Sequence, residues 1–144
     1  MSGKGSKPRP TDHKKYNNNY DLIFGKSMSW KDLAPDICRQ RMVVEGTLHN
    51  SFSPEEMKTF CCEISTVLDM TPVSKPQIDH AEEYGWCCFM HWKESGMHIY
   101  GWDNRDPKFF SIDIYTCKKF RCLDVIGYTT EFFGDNLVEL AWRE

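Results

Sequence analysis

The sequence predicts an α+β fold, a two-layer sandwich in which a mainly antiparallel sheet carries helices packed on one face. Three observations predict it. A capped, amphipathic segment follows a first strand-like run, three further strand-like runs succeed one another at short spacing, and a second helical pattern comes after them. Taken in order, Met42-Val43-Val44-Glu45-Gly46-Thr47-Leu48 is rich in β-branched residues and reads as the first strand. Ser53-Pro54-Glu55-Glu56 announces a helix: Ser53 supplies the cap, Pro54 suits the first helical position and Glu56 completes a capping box. Met57, Phe60, Cys61, Ile64 and Leu68 recur at helical spacing and form one apolar stripe, which assigns Cys61 to the core rather than to chemistry. Pro72 and Pro76 then break the chain, leaving a loop or short strand over 73–83. From Tyr84 to Trp92 a strand alternates, with Trp86, Cys88, Met90 and Trp92 on one face and Cys87, Phe89 and His91 on the other. Residues 95–102 and 108–116 form a hairpin about the turn Asp103-Asn104-Arg105-Asp106-Pro107. The last helix is expected from Lys119 to Phe133, with Leu123, Ile126, Thr130 and Phe133 buried and Gly134 as its stop. Leu137 to Trp142 reads as an edge strand or a docked tail.

Composition agrees with one such domain. The 144 residues are 40% hydrophobic and 14% aromatic, enough to fill a single core. The net charge of −3 is unevenly placed: Lys4, Lys7, Arg9, Lys14 and Lys15 against Asp12 give the first 20 residues +4, so the remainder carries −7. An acidic body argues against a nucleic-acid-binding domain. Residues 1–20, rich in Gly, Ser, Pro, Lys and Asn, read as a flexible basic arm, either a solubilising tail or a weak anchor to an acidic partner such as nucleic acid. Residues 21–40 read as a linker with a short helix around Trp30-Lys31-Asp32-Leu33, and the globular domain as 41–144. Phe24-Gly25-Lys26-Ser27 ends like a phosphate-binding loop, but the glycine that must open such a loop is missing, and that reading is rejected. No run approaches the roughly 18–20 apolar residues of a membrane span. No apolar segment follows the basic N-terminal residues, so a cytoplasmic protein without a secretory signal is expected. Cys38, Cys61, Cys62, Cys87, Cys88, Cys117 and Cys122 are then free thiols, and without a C-x-x-C pair no metal site is expected.

Chemistry concentrates in the hairpin. Glu94-Ser95 opens its first strand and Cys117 closes its second, which brings a serine and a thiol to one end of the sheet. This layout resembles the active-site hairpin of the small prokaryotic and viral S-adenosylmethionine decarboxylases, and the resemblance covers roughly residues 41–134. The family motif Glu-Ser-His-x-(Ser/Thr)-x-His-Thr-(Trp/Tyr)-Pro-Glu is matched at Glu94, Ser95 and Trp102, and its Asp-Val-(Phe/Tyr)-Thr-Cys by Asp113-Ile114-Tyr115-Thr116-Cys117. Arg41-Met42-Val43-Val44-Glu45 stands where members open with a His-Leu-(Val/Leu)-x-Glu strand. The chain departs at Gly96 and Tyr100, where the family has His, at Asp103-Asn104 in place of Pro-Glu, and by two extra residues in the turn before the Cys-bearing strand.

The resemblance implies a pyruvoyl-dependent carboxy-lyase, an S-adenosylmethionine decarboxylase feeding polyamine and spermidine synthesis. In that family the protein cuts its own Glu-Ser bond, and the serine residue becomes a pyruvoyl group whose carbonyl takes up the substrate amine and draws electrons as carbon dioxide leaves. By the resemblance, Ser95 becomes the pyruvoyl group, Glu94 the new C-terminus and Cys117 the proton donor. Cys87 falls near a family serine that aids processing, and His98, on the strand face of Tyr100, stands in for the missing histidine. Glu45 and Trp102 are the substrate-binding expectations, and the aromatic strands offer cation–π contact to the sulfonium. Gly96 is expected to permit the strained backbone that an acyl shift needs. Small members are homodimers with shared sites, so a homodimer is expected, with 84–92 as an apolar interface.

Two other readings stay open on these residues. A non-processing relative would bind S-adenosylmethionine or another nucleotide-like ligand without converting it; in a virus, such a pocket would sequester a metabolite or signal in the host cytoplasm. A small interaction module would share the sheet alone. Each candidate also has an ordinary role: Ser95 as a strand-opening serine, His98 as an exposed strand histidine, Cys117 as a buried strand-end thiol.

Overall fold

The computed structural model describes Lys14 and residues 32–144, and the compact unit Asp36–Glu144 holds every element of the fold discussed below. The basic arm and most of the linker lie outside the described residues; of the helix expected around Trp30–Leu33, Asp32 and Leu33 are described and are not helical. Six strands form one sheet: β1 (Gln40–Leu48), β2 (Gln77–Ala81), β3 (Gly85–Trp92), β4 (Ser95–Trp102), β5 (Lys108–Thr116) and β6 (Leu137–Arg143). Their order is β2-β3-β4-β5-β1-β6, and every neighbouring pair is antiparallel. Two helices, α1 (Pro54–Val67) and α2 (Cys122–Phe133), pack against it. The predicted α+β two-layer architecture is the observed one.

Alternation decides which face the helices cover. Met42, Val44 and Leu48 of β1, Cys88, Met90 and Trp92 of β3, Met97 and Ile99 of β4, and Phe110, Ile112 and Ile114 of β5 are buried in one core with Met57, Phe60, Cys61 and Ile64 of α1. Burial of side chains this large contributes about 1.5–3 kcal/mol each. The expected capping box of α1 is present: Ser53 Oγ accepts from the Glu56 N–H at 3.3 Å, and Glu56 Oε2 accepts from the Ser53 N–H at 2.9 Å. The buried Trp92 indole donates to Ser65 Oγ at 2.7 Å, tying the end of β3 to α1. Residues 73–83, expected as loop or short strand, contain β2 at the sheet edge.

Helix α2 differs from expectation in two ways. It begins at Cys122 instead of Lys119, because the Gln40 side chain holds the backbone of Phe120 on both sides, accepting from its N–H and donating to its carbonyl, each at 3.0 Å. Its buried stripe is Val125, Thr129 and Phe133; Leu123 is 69% exposed and Thr130 is also exposed. The buried threonine is tolerated because its hydroxyl donates to the Val125 carbonyl at 2.7 Å.

Candidate active site

The site starts from a two-residue turn. Trp92 pairs with Ser95 across β3 and β4, leaving Lys93 and Glu94 to reverse the chain. Ser95 pairs with Thr116 on the other side, so Cys117, the residue after β5, faces Glu94. The Cys117 N–H donates to the Glu94 carbonyl at 2.8 Å. Ser95 itself has φ +124°, a conformation that L-residues rarely adopt and that costs about 1–3 kcal/mol. A polarising donor and backbone strain therefore meet at one peptide bond, that between Glu94 and Ser95.

The Glu94 side chain is also tied down. Its carboxylate accepts from the Thr71 N–H at 2.9 Å and from the Thr71 hydroxyl at 3.1 Å, while the Thr71 carbonyl accepts from the Lys93 N–H at 2.8 Å. The Thr71 N–H, its hydroxyl and the positive charge of Lys118 hold this carboxyl below the usual glutamate range. Lys118 in turn grips Asp69, donating to its carbonyl and to its carboxylate Oδ2, the latter at 2.6 Å.

Among the described residues, no helix covers the other face of the sheet. Phe89, His98, Tyr100, Trp102 and Phe109 form a chain of neighbouring rings across β3, β4 and β5: Phe89–His98 centroids are 4.5 Å apart, His98–Tyr100 5.8 Å, Tyr100–Trp102 6.0 Å and Trp102–Phe109 5.0 Å. A depression of about 340 Å³ on this face is lined by Arg41, Gly96, His98, Asp113 and Tyr115. Arg41 forks onto the Asp113 carboxylate at 3.0 and 2.6 Å.

The predicted residues separate into two groups. Glu94, Ser95 and Cys117 converge at the turn, and Cys117 is exposed there, not buried. His98 stands three residues along β4, and alternation from Met97 and Ile99 puts it on the open face, opposite the helix-side row that includes Ser95. Cys87 pairs with Tyr100, five residues from Ser95 and roughly 16 Å along the strand, so the turn does not include it. Its thiol donates to the Asp79 carbonyl at 3.6 Å. Glu45 lies opposite Ser111 in that same distant row and accepts from its hydroxyl at 3.5 Å; Trp102 pairs with Phe109 two residues farther still. The strain expected at Gly96 sits on Ser95 instead. Gly96 has a different reason to be glycine: a Cβ there would lie 2.6 Å from the Met90 carbonyl oxygen, so the histidine of the family motif has no room at this position. Thr71, Lys118 and Asp69 were invisible to motif reading, because their link to the turn runs through long-range contacts.

A family model for S-adenosylmethionine decarboxylase matches residues 48–142. The chain belongs to the S-adenosylmethionine decarboxylase family. Comparison with curated proteins gives no significant match. The matched span takes in both helices, the Glu94-Ser95 turn and Cys117. Members of this decarboxylase family use a pyruvoyl group. The residues here fit one made from Ser95, since its formation removes the Ser95 nitrogen and with it the strained φ torsion. Among the described residues, no helix is long and apolar enough to cross a membrane.

Proposed function

We propose that this chain is a self-processing S-adenosylmethionine decarboxylase whose prosthetic group is made at Glu94-Ser95. The observation that carries the reading is the Cys117 N–H on the Glu94 carbonyl beside a strained Ser95. Ser95 Oγ attacks the Glu94 carbonyl carbon; the new C–O bond forms, the C–N bond breaks, and the hydroxyl proton passes to the freed amine. The Cys117 N–H supports the oxygen while it carries negative charge, in the manner of an oxyanion hole. Loss of the Ser95 Cα proton then expels the Glu94 carboxylate, and water replaces the nitrogen as ammonia. The cycle consumes one water, releases one ammonia and needs no oxidant.

The pyruvoyl carbonyl supplies the electrophile and electron sink for decarboxylation. The remaining work falls to the chain's own side chains. The exposed Cys117 thiol donates the proton that replaces carbon dioxide. Cutting the Glu94-Ser95 bond frees the start of β4 to turn from the helix side toward the open face, where the depression beside Gly96 receives the substrate and the rings of His98 and Tyr115 face the sulfonium cation. Glu45 and Trp102 lie farther along the same face and approach only an extended ligand or one held by a second copy. A cytoplasmic homodimer is the form in which we expect the protein to act.

Denaturing mass spectrometry tests the reading. Cleavage converts the 16.9 kDa chain into fragments of about 11 and about 6 kDa, at roughly 117 Da per residue, and the cleaved protein releases carbon dioxide from S-adenosylmethionine. An intact chain with an unmodified serine rejects it. One observation favours the non-processing alternative: Tyr100 occupies the family's second histidine position, and His98 lies on the face away from the turn. Calorimetry with the Ser95→Ala protein separates the two, since binding without cleavage of the wild type supports the alternative. Neither cleavage nor binding leaves the interaction module.

A further inference from the structure

Thr71 spends all three of its polar groups on the Lys93-Glu94 turn. Its N–H and hydroxyl bind the Glu94 carboxylate at 2.9 and 3.1 Å, and its carbonyl takes the Lys93 N–H at 2.8 Å. The segment carrying Thr71 is itself fixed. The Met70 N–H donates to the Ser65 carbonyl at 2.8 Å and the Met70 side chain is buried; Pro72 bridges to Trp92; the Val73 N–H donates to the His91 carbonyl at 3.0 Å. On the other flank, Lys118 holds Asp69 and follows directly on Cys117, which holds the Glu94 carbonyl. The contacts close a ring through Thr71, Glu94, Cys117, Lys118, Asp69 and back along the chain to Thr71. Ser95, with its unfavourable φ, is the next residue after a Glu94 clamped through both its side chain and its carbonyl.

We propose that Thr71 is a positioning residue for self-cleavage, holding the Glu94-Ser95 peptide in its strained form so that the acyl group passes from the Ser95 nitrogen to its oxygen. The inference rests on the self-processing reading and assigns to it a residue 23 positions away from Glu94 in the chain. In the transfer, the C–O bond to Ser95 forms, the C–N bond breaks and the hydroxyl proton moves to the nitrogen. Thr71 exchanges no proton and touches no reacting atom. Its effect is to deny the turn the relaxed conformations in which the hydroxyl and the carbonyl carbon are misaligned.

The test compares the full chain with Thr71→Val and Thr71→Ser, following cleavage over time by denaturing mass spectrometry. Valine keeps the shape and the backbone bonds but loses the hydroxyl, and at least tenfold slower cleavage is expected; serine restores the hydroxyl and should cleave within about threefold of the wild type. Valine at the wild-type rate, or valine and serine slowed alike, overturns the role for Thr71 while leaving the self-processing reading intact. A wild type that never cleaves overturns that reading and this role together. A second measurement does not depend on cleavage. In the Ser95→Ala chain, an NMR titration should find the Glu94 carboxyl below the usual glutamate range, and adding Thr71→Val should move it back toward that range. A Glu94 that titrates identically in both proteins shows that the Thr71 hydroxyl takes no part in the clamp, and overturns the proposal.

Discussion

Ser95 is the residue at which stability and chemistry oppose each other. A glycine accepts φ +124° without the steric penalty of a Cβ, whereas alanine keeps that penalty. Neither can process, so the two variants compare strain alone. Ser95→Gly should be more stable than Ser95→Ala by about 1 kcal/mol in urea denaturation, after the greater freedom of glycine in the unfolded chain is counted; equal midpoints would mean that no strain is held there. Cys117 divides differently, because its backbone and its thiol have separate tasks. Cys117→Ser keeps the N–H on the Glu94 carbonyl, so cleavage should persist, while decarboxylation should fall by about 10²-fold or more for want of the proton donor. Uncleaved Cys117→Ser protein would place the thiol in the processing step. Glu94, Ser95 and Cys117 were legible in the sequence because they sit at the start of β4 and the end of β5, which are hairpin neighbours, and register carries them together. Thr71 was not legible. Its place beside Glu94 depends on where the chain emerges from α1 and on a bridge from Pro72 to Trp92, and no local pattern encodes either.

At the scale of elements, the same contrast separates α1 from α2. The start of α1 is written locally, in a serine, a proline and a glutamate within four residues, and its stripe of Met57, Phe60, Cys61 and Ile64 is buried as the periodicity requires. The start of α2 is set by a residue 80 positions away, since Gln40 occupies the Phe120 backbone groups that would otherwise join the helix. Its stripe is ambiguous in the sequence because Leu123, Val125 and Ile126 offer two competing apolar faces, and the buried one uses a threonine that bonds back to its own helix. Gln40 thereby fixes the connection that leaves Cys117 and Lys118 behind β5, at the mouth of the site. Gln40→Ala should cost about 1–2 kcal/mol by removing two partly buried hydrogen bonds. Hydrogen exchange should quicken at Phe120 and in the first turn of α2, with the amides of α1 unchanged. Unaltered exchange at Phe120 would show that the connection is held by packing of the Phe120 ring instead.

For the molecule as a whole, the described residues cover the sheet with helices on one side only. The other side presents the run of rings, with Tyr100 41% exposed, beside a depression above Gly96 lined in part by Tyr115, which is 45% exposed. Monomeric proteins seldom leave apolar surface of this kind contiguous and uncovered. Two further facts point to a second copy as its cover. The rings lie on one face of an antiparallel sheet, which a two-fold axis can place against itself so that each ring row meets its own equivalent. Trp102, matched to the family motif, lies seven residues from Ser95, roughly 23 Å along β4, too far to serve the turn in its own chain. A face-to-face dimer would give each depression a roof and would bring Trp102 of one copy toward the site of the other. Sedimentation at micromolar concentration should therefore show a dimer. Tyr100→Glu sets like charges against each other at the centre of that face, and should yield a folded monomer that still cleaves at Ser95, because the turn and its clamp lie within one chain. The monomer should lose at least tenfold in affinity for S-adenosylmethionine, since the roof is gone. A wild type that sediments as a monomer, or a Tyr100→Glu protein that remains dimeric, would mean that this face is not the interface between copies.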